Sequence, residues 1–335
     1  MDKRIYSALT ITALAASCGW AALARQQLSL ALAAGALTAL LGALPGTRLR
    51  SAMIVAVSLL ATLAVVEVSL PGVHSLRMGT DNGSYYDPAS DYVNRYWKGS
   101  VFGSQPGPGT FSSRKLARDG QQIYDVKYSI GEDGFRLTPN ANSGVDRQIN
   151  FLGCSFTFGE GLNDDQTLPH YAAQLLTGYR VKNYAMHGWG VHQALAVLES
   201  VHEPSRINFL LTVPWHADRS ACIPFYSVGS PRYVLNGSDG LRREGVCRQT
   251  LHEMPWPIRS MITRPNLYQL INQNLFRSQD REIDLYLAII KRIRDVSAEQ
   301  GSQLVVGFMK ADQSLFVGRY SNERILSILH EWGIP

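Results

Sequence analysis

One serine of this chain stands where a parallel sheet presents reactive groups. Ile149–Leu162 reads Ile-Asn-Phe-Leu-Gly-Cys-Ser-Phe-Thr-Phe-Gly-Glu-Gly-Leu, a short buried strand running into a tight turn with Ser155 just past its end. Ligands collect at the carboxyl ends of the strands in open α/β sheets. Gly153, Gly159 and Gly161 let the backbone bend sharply and let a substrate come close. A serine so placed can attack a carbonyl carbon once a base takes its proton.

The elements that must position this serine follow from the next segments. Val181–Gln193 (Val-Lys-Asn-Tyr-Ala-Met-His-Gly-Trp-Gly-Val-His-Gln) predicts a second strand, a turn at Gly188 and Gly190, and a helix from Val191 to Val201. Between the two blocks, Leu168, Tyr171, Ala172, Leu175 and Leu176 recur at helical spacing. Ile207–Val213 is a further apolar strand. Strands alternating with helices predict an α/β fold, a parallel sheet with helices on both faces. Both glycine turns then fall on one sheet edge.

Gly153-Cys154-Ser155-Phe156 resembles the first block of the SGNH (GDSL-type) hydrolases, and Asn183 to Gly188 is similar to that family's second block. The similarity runs from about Asn150 to the C-terminus. It implies a flavodoxin-like three-layer sandwich and a serine esterase or acyl-transfer mechanism. In that mechanism Ser155 is the nucleophile, and the N–H groups of Ser155 and Gly188 hold the oxyanion, an interaction that supplies much of the rate in acyl transfer. Cys154 stands where the block has aspartate, and Ala185 where the second block has glycine. The third block, which carries an asparagine in the family, is here Thr212-Val213-Pro214-Trp215-His216. His216 either donates an imidazole N–H in place of the amide or is a hydrogen-bonded structural histidine.

The family's base comes from a late Asp-x-x-His block, and none occurs downstream of Ser155. Ser302–Met309 reads as a buried strand, Asn322 to Trp332 as a helix, and Gly333 to Pro335 as the entrance to one more strand. Either the enzyme continues past Pro335, or the chain binds without hydrolysing. A substitute base would come from His187, His192 or His216, although His192 lies in a helix where an ordinary surface histidine is the expected identity.

Residues 5–24, 28–44 and 51–70 are apolar stretches of roughly membrane-spanning length. Lys3, Arg4, Arg48 and Arg50 place the N-terminus and second loop in the cytoplasm, so three crossings put the rest outside, whereas two crossings, without the short middle stretch, would leave it in the cytoplasm. The expected organisation is a multi-pass membrane anchor (1–71), an extracytoplasmic lead-in with a small β extension (72–147) and the hydrolase domain (148–335). In the lead-in, Gln122–Ile130 alternates like a strand before a turn at Asp133-Gly134. Arg136 beyond it reaches either an anionic substrate group or a surface carboxylate.

From Pro214 to Arg277 the sequence reads as an irregular, proline-containing insertion with scattered aromatics, among them Trp215, Tyr226, Tyr233, Trp256 and Tyr268. Ile283, Leu287, Ile290 and Ile293 form the core stripe of a later helix. Cys222 and Cys247 either pair in an oxidising compartment or remain free thiols. Their spacing fits no zinc pattern, and neither metal nor cofactor is expected. The net charge is +5 without blocks of Lys and Arg, so nucleic acid is not an expected partner. An acylated small molecule, glycan or lipid is.

Overall fold

The computed structural model describes residues 84–96, 98–139, 144–201, 203–237, 240–248, 279–310 and 322–335. The stretches read as membrane spans lie outside these residues. Among the described residues no helix is long and apolar enough to cross a membrane.

The first described part is built on an antiparallel sheet. Strand β1 (Tyr85–Tyr86) is followed by helix α1 (Asp91–Tyr96) and a two-residue hairpin, β2 (Gly99–Ser100) and β3 (Gly103–Ser104). The long strands β4 (Gly109–Leu116) and β5 (Gln122–Ile130) complete the sheet in the order β1-β4-β5. Val126, Tyr128 and Ile130 of β5 are buried, the alternation expected of a sheet with one covered face.

Four parallel strands form the centre: β6 (Gln148–Leu152), β7 (Arg180–Asn183), β8 (Ile207–Thr212) and, after the hairpin β9 (Pro231–Leu235) and β10 (Leu241–Val246), β11 (Gln303–Phe308). Their spatial order is β11-β8-β6-β7. Counted along the chain this is 2-1-3-4, the start of the flavodoxin-like order, and the order reverses between β6 and β8. All of β6 is buried, as a central strand covered on both faces must be. Backbone bridges from Arg136 to Ile130 and to Asn183 join the antiparallel strands to the parallel ones.

Helices cover both faces. On one, α3 (Leu168–Leu175), which follows the one-turn helix α2 (Ser155–Phe158), sets Ala173 against Ile149, Phe151 and Val181. On the other, Leu152, Leu210 and Leu304 pack in the main core with α4 (Val191–Ser200) and the long helix α6 (Gln279–Glu299). The short α5 (His216–Ser220) and α7 (Asn322–Glu331) join that core through Ala217, Ile325 and Leu329. The stripe of α6 is buried as its spacing requires. That of α3 is inverted: Leu168, Tyr171 and Leu175 face solvent, Leu175 at 82%, while Pro169, His170 and Ala173 are buried.

The segment after β8 is more regular than its sequence implies. Beyond α5 it holds a 3-10 turn (Phe225–Ser227) and the β9–β10 hairpin, closed by a Cys222–Cys247 disulfide. Tyr233 is buried and donates its hydroxyl to Glu199 at 2.5 Å, so this aromatic pins the hairpin to α4. Residues 249–278, with Trp256 and Tyr268, lie outside the described residues.

A buried polar network ties the sheet to α6 away from its carboxyl edge. Asn208 accepts from Asn150 Nδ2 (2.9 Å) and Ser205 Oγ (3.0 Å) and donates to Ser297 Oγ (3.0 Å). Removing one member orphans the others, so Asn208→Ala should cost about 2–4 kcal/mol. Thermal or urea unfolding of the variant checks this value, and a loss below about 1 kcal/mol would mean that water replaces the amide.

Candidate active site

Three loops leave the carboxyl ends of adjacent strands, and each carries one of the residues singled out above. Ser155 opens α2 after β6 and is partly exposed. Gly188 lies in the loop between β7 and α4, and His216 opens α5 four residues past the end of β8. The loop of Ser155 is therefore in the middle, with that of Gly188 on one side and that of His216 on the other.

The bend before the serine accepts only glycine. Gly153 has φ +149°, and a Cβ there would meet Thr157 Oγ1 at 2.3 Å and the Leu211 carbonyl at 2.8 Å. Gly188 has φ +77°, the left-handed region that side chains disfavour. Asn183 binds the second loop to the first: its Nδ2 donates to the Thr157 carbonyl (3.3 Å), and its Oδ1 accepts from Ala185 N–H (3.2 Å). Tyr184 N–H donates to the Phe151 carbonyl at 2.8 Å, extending the β6–β7 pairing into this loop. Cys154 is buried, packed behind α2 as its N-cap residue.

Arg136 meets a carboxylate, as one of its two readings had it, but from inside the fold. Its side chain is fully buried and its fork is spent on the backbone after Ser155. Nη1 donates to the carbonyls of Phe158 and Gly159 (2.8 Å each), Nη2 to Leu162 (2.7 Å) and Nε to Asp164 Oδ1 (2.9 Å). The guanidinium lies over the rings of Tyr128 and Phe158. Burial lowers its pKa and the Asp164 charge opposes that shift. The antiparallel sheet adds bonds to the same turn, from Gly161 N–H to Tyr128 Oη (2.9 Å) and from Lys127 N–H to Asn163 Oδ1 (3.0 Å).

The structure also assembles a polar cluster that the sequence reading did not anticipate. Glu160, whose N–H donates to the Ser155 carbonyl (2.9 Å), receives the Tyr86 hydroxyl at 2.5 Å and the Tyr124 hydroxyl at 3.3 Å. Its other oxygen lies 3.5 Å from His187 Nδ1, and Lys115 Nζ is 3.9 Å from the oxygen that the two tyrosines share. Burial and then the Glu160 charge raise the Tyr86 pKa, so the phenol keeps its proton. That proton goes to Glu160, so Tyr86 Oη accepts from His187 Nε2–H at 3.1 Å. Only the glutamate of Phe-Thr-Phe-Gly-Glu-Gly lies in a segment singled out for Ser155. Tyr86 precedes it by 74 residues.

The three histidines considered as substitute bases are each engaged by neighbouring polar groups. Both nitrogens of His187 face Tyr86 and Glu160. His192, read as a surface histidine, is fully buried between Ser230 Oγ (3.1 Å) and Ser220 Oγ (3.4 Å). Burial, reinforced by Arg219, takes its pKa down to about 3. His216 is also fully buried, with Nδ1 3.0 Å from Thr212 Oγ1. Beside Ser155 an exposed aromatic, Phe156, meets Trp215 with ring centroids 6.3 Å apart.

No family model matches the chain, and no curated protein matches it. Among solved structures, the crystal structure of TesA is similar over 56% of this chain and 76% of that one, with 12% identity and a TM-score of 0.32. A member of the lipolytic protein G-D-S-L family from Veillonella parvula is similar over 56% and 75%, with 14% identity and a TM-score of 0.31.

Proposed function

We propose that the chain is a serine ester hydrolase of the SGNH type, acting on an O-acyl group of an envelope glycan or lipid. One observation carries this reading: the loops of Ser155 and His216 flank the point between β6 and β8 where the strand order reverses. A crevice forms outside the strand ends at such a point, and ligands bind there. Ser155 Oγ attacks the acyl carbon, and the N–H groups of Ser155 and Gly188, with the ring of His216, hold the oxyanion. The alcohol leaves with the proton taken from the serine, and water releases the acid from the acyl-enzyme.

The substrate class rests on location and on the rim. Three apolar stretches of spanning length with arginines between the second and third favour an outward-facing domain. The Cys222–Cys247 disulfide suits an oxidising compartment. Phe156 and Trp215 offer an aromatic surface for a sugar ring or an acyl chain. Transfer of the acyl group to a glycan hydroxyl uses the same nucleophile, and acetate release measured against glycan acetylation from one donor separates the two reactions.

A fluorophosphonate probe tests the nucleophile directly. Wild-type protein should form one covalent adduct, located by mass spectrometry on the peptide containing Ser155. An adduct on another serine, or none under conditions that label a control esterase, would overturn the assignment and leave a non-catalytic binding module.

A further inference from the structure

We infer that Tyr286 and Thr212 are positioning residues that hold His216 in the tautomer protonated at Nε2, making the ring a hydrogen-bond donor and not a base at that atom. The donor's use rests on the hydrolase reading; its existence does not.

The argument is a proton count in a dry place. His216, Thr212 and Tyr286 are all fully buried. Thr212 Oγ1 lies 3.0 Å from His216 Nδ1 and 3.1 Å from Tyr286 Oη, while His216 Nε2 has no hydrogen-bond partner among the described residues. Burial, then the charge of Arg219, presses the His216 pKa well below its ordinary value, so the ring is neutral. Burial raises the Tyr286 pKa, so the phenol keeps its proton. Three hydrogens must then be distributed over two contacts, one from each hydroxyl and one from the ring.

If Tyr286 donates to Thr212 and Thr212 donates to Nδ1, both hydroxyl hydrogens are used. The ring proton sits on Nε2, and that N–H is the only group left over. If Nδ1 carries the proton instead, it donates to Thr212. One hydroxyl hydrogen, that of Tyr286 or of Thr212, is then left without an acceptor, and the Nε2 lone pair without a donor. Two buried orphans cost more than one, so the first arrangement prevails.

The consequence is chemical. Nε2–H becomes a fixed donor, held on the β8 side of the Ser155 loop by a strand residue and a residue of the longest described helix. A preorganised N–H in a water-poor setting is what a developing oxyanion requires, and it needs no reorientation when charge appears. The same assignment excludes Nε2 as the atom that takes the serine proton.

Long-range proton–nitrogen NMR on the full chain, with ring-labelled histidines in detergent micelles, reads the tautomer directly. For His216 the expected result is a protonated Nε2 and a bare Nδ1 in the wild type. Thr212→Val should lower the Nε2–H population and Thr212→Ser should restore it. A wild-type ring protonated at Nδ1, or a tautomer indifferent to Thr212→Val, overturns the inference. In ester turnover Thr212→Val should lower kcat by roughly ten- to a hundredfold with KM held; loss confined to KM also counts against it. The spectrum requires no turnover. An inert Ser155 beside a confirmed tautomer therefore refutes the hydrolase reading alone.

Discussion

Ser155→Ala should lower kcat/KM for an acetyl ester by about ten-thousandfold or more while leaving the thermal unfolding curve in place. The size follows from the chemistry. Without the hydroxyl no acyl-enzyme forms, and only the oxyanion donors continue to act on the carbonyl, in a reaction that must now recruit water directly. The unchanged stability follows from the structure: Ser155 is partly exposed, and no side-chain bond of its own supports the turn, which is held through its backbone carbonyl. Steady-state assays beside calorimetry decide the matter. Residual turnover within about tenfold of wild type would remove Ser155 from the mechanism.

Arg136→Met should cost about 3–5 kcal/mol, which for a domain of this size lowers the melting temperature by roughly 10 °C. The substituted side chain fills much of the same space between Tyr128 and Phe158 but leaves the carbonyls of Phe158, Gly159 and Leu162 without their donor and Asp164 without its cation. Arg136→Lys should recover only part of this loss, because one ammonium cannot reproduce a planar fork that meets four oxygens. Those carbonyls follow Ser155 by three to seven residues, so activity measured below the melting transition should fall as well. A shift smaller than about 2 °C would show that the turn stands without its clamp.

What was legible in the sequence had a local cause. The central strand β6 is an apolar run because both its faces are covered, and β5 alternates because one of its faces is. The stripe of α6 matches its buried side. The glycine turns marked the edge where Ser155 and Gly188 emerge, since only glycine fits a backbone at φ +149° or +77°. The rest depends on partners distant along the chain. Arg136 looked like a surface charge because nothing near it in sequence announces the carbonyls it meets. The Tyr86–Glu160–His187 cluster joins residues 74 and 101 positions apart. His216 was placed on the loop after the third strand, but its burial depends on α6, which carries Tyr286, 74 residues beyond Thr212. On α3 the spacing indicated a helix and said nothing about which side turns inward. The β9–β10 hairpin escaped notice because β10, Leu-Arg-Arg-Glu-Gly-Val, is exposed along most of its length and carries no alternation.

The antiparallel sheet grips the serine's turn at Tyr86, Lys127, Tyr128 and Arg136, all upstream of the first parallel strand. Excising the parallel sheet at the start of β6 would discard the scaffolding that shapes the turn of Ser155. The smallest fragment worth expressing therefore starts before Tyr85. Evolutionary change in that upstream sheet would reshape the Ser155 loop without altering a single residue inside it.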